Sequence, residues 1–278
     1  MSNAIYTATG CARCKITKSY LKENTIEYEE YDFKAEGKDA FSQFYRANRA
    51  DIYRDQDGVE FPVFTDGKFI HQGVGVIIGY LVAGDALSGF IGRSRLHGEW
   101  IDGFDISSGD AEHTQALLKV LTYLKKSGLK IQVTTNGHNA SGLAAVVEKK
   151  LADRVIVEVK GPGPLYGKLH GVEIDEDELK QSIALAAKVP EYRYFTTIAP
   201  LVRNDGSVSY LSPEEIGEAA RLIEAATGSK KHPYELKIVD SKQAPTEQLK
   251  TVAPLPPAAL FKYRTAARRY MVMTEIQK

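Results

Sequence analysis

Cys11 and Cys14 are the only thiols in 278 residues, and two residues separate them. They follow "AIYTAT", a run of strand-forming residues that Gly10 interrupts. After them comes "KITKSYLKEN", where Ile16, Tyr20 and Leu21 recur at helical spacing. A thiol at such a turn meets the unpaired N–H groups and the positive end of the helix, and Arg13 and Lys15 add charge. Both effects lower a thiol pKa. Cys11 is therefore the expected nucleophile, and Cys14, one turn on, is placed to resolve a mixed disulfide. Zinc would need four ligands. The six histidines, at 71, 97, 113, 138, 170 and 232, are scattered and show no paired spacing.

Further elements must hold this pair. "IEYEEYDF" reads as a strand, and "KDAFSQFYRANRADIY" as a helix with Phe41, Phe44 and Tyr45 on one side. "EFPVFTDGKFIHQG" reads as a hairpin about Asp66-Gly67, and "VGVIIGYLVAG" as a short apolar helix. With "CARC" at the first strand-to-helix turn, residues 4–82 resemble a glutaredoxin. The resemblance implies a thioredoxin-like fold with Pro62 cis beside the dithiol and the Phe61 backbone offered to substrate. It implies contacts to substrate at Gly73, and Arg13 joins them. Two positions depart from the family. Ala8 stands where a lysine often lies three residues before the first cysteine, and the late Gly-Gly and Asp are reduced to Gly73. Thiol–disulfide exchange is thus better supported than glutathione specificity. The expected reductant is glutathione or another thiol system, and the expected partner a disulfide-containing protein or a low-molecular-weight thiol.

From Asp102 the pattern alternates. Five strands ("IDGFDIS", "LKIQVTTNG", "DRVIVEVKGPGP", "YRYFTTIAPLV", "YELKIVD") interleave with four helices. Ser212 and Pro213 mark one helix start, and Gly128 a helix stop. Such alternation predicts an α/β fold, either an open parallel sheet or a partial (β/α) barrel. Ligands in both architectures sit at the carboxyl ends of the strands. The residues there are Ser107, Ser108, Gly109 and Asp110, then Thr135, Asn136 and Gly137, then Glu158 and Lys160, then Thr196 and Thr197. Ordinary turns and helix caps explain these residue types equally well.

"DISSGDAEHTQALLKVLTYLKKSGLKIQVTTNG", "VIVEVKGP" and "YRYFTTIAPLV" resemble the later βα units of radical S-adenosylmethionine enzymes, closest to the activating enzymes of glycyl-radical proteins, over about residues 100 to 240. That family holds a [4Fe–4S] cluster through C-x3-C-x2-C. "GDALSGFIGRSRLHGEW", which occupies the corresponding place, has no cysteine. Reductive cleavage of S-adenosylmethionine is therefore not expected. A methionine-like or nucleoside ligand remains a candidate for this half, as does a docking role.

The expected organisation is a glutaredoxin-like domain at 1–84, a linker at 85–100, a radical-SAM-like domain at 101–242, and a Pro-rich segment with a C-terminal arm at 243–278. Lys plus Arg and Asp plus Glu balance at 36 each, which gives no signature of nucleic-acid or membrane binding. With no secretory signal in the sequence and too few cysteines for a disulfide scaffold, the cytoplasm is the expected compartment. The leading reading is a dithiol oxidoreductase with no resident metal or bound cofactor. Its rival is a redox-sensing, ligand-binding regulatory protein without general turnover.

Overall fold

The computed structural model describes residues 3–56 and 58–277. They form two compact units, each considered by itself. The first runs to Asp105 and also takes Gly109–Ile131. The second takes Ile106–Ser108 and everything from Gln132 onward.

The first unit opens with β1 (Ala4–Thr7), α1 (Ala12–Glu23), β2 (Glu29–Asp32) and α2 (Lys38–Ala47). A small ribbon follows, β3 (Arg54–Asp55) with β4 (Gly58–Val59). Next come the hairpin β5 (Val63–Thr65) and β6 (Ile70–Gln72), then α3 (Val74–Ala83). Strand order is β2-β1-β5-β6. β1 runs parallel to β2 and antiparallel to β5, and β5 is antiparallel to β6. The order of elements is the expected one, apart from the added ribbon. Ile5, Leu21, Phe64 and Ile77 form one core cluster; Tyr6, Phe41 and Val63 form another, walled by further aromatics. On α1 the buried stripe is Cys14, Thr17 and Leu21. The expected stripe of Ile16, Tyr20 and Leu21 is rotated by about a quarter of a turn, and Ile16 and Tyr20 are half-buried.

Residues 85–100 are not a linker. Leu87, Phe90 and Ile91 are buried, and the Gly92 N–H donates to Gly103 O at 2.7 Å. Three large apolar side chains within five residues cannot remain in water, so this segment folds with the first unit. β7 (Trp100–Asp105) and α4 (Thr114–Lys126), expected to open the second domain, belong to the first unit as well. α4 packs on α3, and its Tyr123 ring meets Tyr20 of α1 edge-on at 4.8 Å.

The remaining elements begin with β8 (Lys130–Thr135), which starts in the first unit and ends in the second. Then follow α5 (Ala140–Glu148), β9 (Arg154–Glu158), a short α6 (Tyr166–His170), α7 (Glu176–Ala186) and β10 (Glu191–Ile198). A hairpin of β11 (Pro200–Val202) and β12 (Val208–Tyr210) precedes α8 (Pro213–Thr227), β13 (Tyr234–Ile238), α9 (Glu247–Lys250), α10 (Leu260–Arg268) and β14 (Thr274–Ile276). The sheet order β14-β13-β10-β9-β8-β7 is that of an open sheet, and its pairings from β8 to β14 are all parallel. The expected α/β class with a parallel sheet is thus observed. α8 begins as expected: Ser212 and Glu215 make a reciprocal capping box, with Pro213 in the first turn. The C-terminal arm holds a short helix, as the sequence allowed, and a strand that was not expected. α10 packs on α8, burying Tyr263, Ala266 and Ala267, and β14 adds a sixth strand beside β13. A three-residue strand after a Pro-rich stretch has no periodicity to read, and only the free edge of β13 defines it. Among the described residues no helix is long and apolar enough to cross a membrane.

Candidate functional site

The dithiol sits at the start of α1. Gly10, at φ +86°, takes a left-handed conformation that only glycine adopts without cost, and turns the chain from β1 into the helix. Thr9 fixes this turn from outside. Its N–H and hydroxyl both reach the Asp32 carboxylate, at 3.1 and 2.6 Å, and the hydroxyl bond holds that carboxyl below its ordinary pKa. Cys11 is the N-cap of α1, and its sulfur accepts the Cys14 N–H at 3.0 Å. The two sulfurs are bonded as a disulfide. Cys14 is buried, whereas Cys11 is only half-buried. The sulfur that should be attacked or attack is thus the reachable one.

The Phe61–Pro62 peptide is cis. Cys11 Sγ lies 3.8 Å from the Phe61 carbonyl oxygen, where the thiol of the reduced form would find an acceptor. Phe61 and Pro62 are thus beside the dithiol.

Arg13 and Gly73 are engaged elsewhere. The Arg13 guanidinium pairs with Glu60 at 2.9 Å and donates to the carbonyls of Leu96 and Trp100 at 2.5 and 2.8 Å. Its side chain is 12% exposed, so it braces the protein and is not a free cation awaiting substrate. Burial raises the Glu60 carboxyl above its ordinary pKa, and Arg13 offsets only part of that rise. Gly73, the N-cap of α3, spends its N–H on Pro62 O at 2.9 Å. A Cβ on it would stand 3.4 Å from Glu60 Oε1. An acidic side chain therefore stands beside the glycine that the resemblance assigned to substrate contact. Nothing in the residue spacing pointed to Glu60, because its partner is 47 positions away.

The strand-end residues of the second half divide. Ser107 and Thr135 share a hydrogen bond at 2.7 Å, and the Asn136 N–H donates to Ser107 Oγ at 2.7 Å. Lys160 Nζ contacts Glu158 at 2.5 Å, and the Thr197 hydroxyl donates to the other Glu158 oxygen at 3.0 Å. Thr196 is buried and donates to Val159 O. Gly109 and Asp110 fall in the other unit. A Cβ on Gly109 would lie 2.2 Å from the Phe90 ring, so packing already accounts for this glycine. Asp110 caps the turn Ala111–His113, and Ser108 is exposed. The ligand-site reading of these residues gains little, since most of their polar atoms bond to one another. The donor set does not fit an iron–sulfur cluster either, as both cysteines lie in the first unit, bonded to each other.

Tyr166, not anticipated, ties the second group together. It is fully buried. Its hydroxyl donates to Asn136 O at 2.7 Å, lies 3.2 Å from Glu158 O, and accepts the Lys160 N–H at 3.1 Å. Burial raises its pKa strongly. Tyr166→Phe is expected to lower stability by about 2 kcal/mol, because the backbone groups of Asn136 and Lys160 stay buried without a partner. Urea unfolding checks it, and an unchanged midpoint would mean that water replaces the hydroxyl. Lys237 was also missed. Its amine lies 3.6 Å from the Phe195 ring centre, and burial lowers its pKa.

No protein-family model matches the chain, and no curated protein matches it. Among solved structures, shikimate dehydrogenase 1 from Peptoclostridium difficile aligns at TM-score 0.20 and 11% identity, over 99% of this chain and 93% of that one. A domain of pyruvate-formate lyase-activating enzyme from Bacteroides vulgatus ATCC 8482 aligns at TM-score 0.43 and 12% identity, over 63% of this chain and 98% of that one. At these scores neither alignment carries an argument about activity.

Proposed function

We propose that the chain is a thiol–disulfide oxidoreductase of glutaredoxin type, working through Cys11 and Cys14. One observation carries the reading: the two sulfurs are already bonded at a helix N-terminus, the outer one reachable and beside the cis Phe61–Pro62 peptide. In the reduced form the Cys11 thiolate attacks one sulfur of a substrate disulfide. A bond forms between Cys11 and that sulfur, and the other substrate sulfur leaves as a thiolate. The Cys14 thiolate then attacks Cys11 Sγ, expels the second substrate thiolate and closes the Cys11–Cys14 disulfide. Two electrons have passed to the substrate. Two thiol equivalents, from glutathione or a dithiol, restore the reduced form and are themselves oxidised to a disulfide.

The second unit, on this reading, serves substrate or partner binding, with no cluster chemistry. The experiment is a trap. Cys14→Ser, mixed with a protein or peptide disulfide, should stop at the first step, and intact mass should show the substrate bonded to Cys11. Wild type under the same conditions should turn over, with glutathione or with a dithiol as reductant. If no adduct forms and wild type does not turn over, the reading is lost. The redox-sensor alternative draws on Arg13, which ties the residue between the two cysteines to Leu96 and Trp100.

A further inference from the structure

A groove of about 600 Å³ opens beside the dithiol in the first unit. It starts at Ala8, whose carbonyl accepts the Cys11 N–H at 3.0 Å, and includes Phe61, whose carbonyl oxygen lies 3.8 Å from Cys11 Sγ. Its walls are aromatic. Phe33, Phe41 and Tyr45 join Phe61, with Phe33 and Phe41 each within 6 Å of the Phe61 ring centre. Three exposed cations, Lys34, Arg46 and Arg54, stand on its rim. Among the described residues none of the three makes an ion pair, and no carboxylate lines the groove.

Aromatic walls favour large apolar side chains, and three cations on the rim favour an anion. Glutathione supplies charge but no large apolar side chain. We infer that the groove selects the substrate: a polypeptide disulfide whose cysteine is flanked by an aromatic or large aliphatic side chain and by Asp or Glu. This rests on the oxidoreductase reading and names the substrate class of the same site. Ala8 fits it, since a lysine there would put a charge into the apolar end of the groove.

Two peptides test the inference. Each carries one cysteine as a mixed disulfide with 2-mercaptoethanol and one neighbouring Phe; one has three flanking Glu, the other three Lys. kcat/KM should favour the acidic peptide by roughly tenfold or more. The double charge reversal Arg46→Glu with Arg54→Glu should invert the order, a gain for the basic peptide that a misfolded variant cannot show. Anisotropy of the same peptides, fluorescein-labelled and with Ser for Cys, reads binding without redox chemistry and should show the same preference. Turnover without preference, or glutathione disulfide reduced faster than both peptides, overturns the substrate class while leaving the oxidoreductase reading intact. Preferential binding without turnover of any disulfide keeps the groove and removes the oxidoreductase.

Discussion

Cys11→Ser is expected to abolish disulfide turnover, by on the order of a thousandfold or more, which corresponds to about 4 kcal/mol of lost transition-state stabilisation. A serine hydroxyl does not ionise near neutrality and does not attack a disulfide sulfur. The structural side of the substitution is mild. Cys11 already caps α1 by accepting the Cys14 N–H, and serine is among the best residues for that task. The variant should unfold at or slightly above the temperature of the reduced wild type. Loss of activity with retained or improved stability separates chemistry from folding. Residual turnover above a few per cent would place the nucleophile elsewhere.

Arg13→Met is expected to destabilise the first unit by about 3 kcal/mol near pH 7. Arg13 and Glu60 are 12% and 18% exposed, and the guanidinium also satisfies Leu96 O and Trp100 O. Methionine keeps the stem's volume but leaves a carboxylate and two carbonyls short of donors. Only Arg93 and His97 would still draw the Glu60 charge. The sign with pH follows. The folded Glu60 pKa is already raised by burial, so the folded state binds its proton more tightly than the unfolded chain. Stability therefore falls as pH climbs from the ordinary carboxyl value through the raised one. Removing Arg13 raises that value further. The penalty should be largest near pH 7 and smaller near pH 3, where the carboxyl is protonated in both states. Urea titrations at the two pH values measure it, and a cost independent of pH would mean that Glu60 finds another counter-charge.

The sequence carried the dithiol and the order of elements, because these depend on adjacency, whereas the place of Pro62 beside the dithiol came only from the resemblance to glutaredoxins. A C-x-x-C pair at a strand-to-helix turn, a Gly10 break, an Asp66-Gly67 hairpin and the Ser212-Pro213 helix start are each local. The alternation after Asp102 likewise announced a parallel sheet, since βα repetition leaves few other packings. Much of the site's character was not local. Arg13 sits between the cysteines, so charge alone cast it as a substrate contact; a partner 47 residues away, and two carbonyls further still, made it a brace. Phe41 and Tyr45 could be read only as a helix face. Folding set them with Phe33 and Phe61 around an open groove and placed Lys34, Arg46 and Arg54 on its rim. Gly109 looked like a ligand contact until Phe90 filled the space beside it. By itself the sequence determined which atoms could do chemistry and the local turns that present them. Only the tertiary structure decided which of those atoms remained free, because hydrogen bonds, ion pairs and packing volume are shared among residues far apart in the chain.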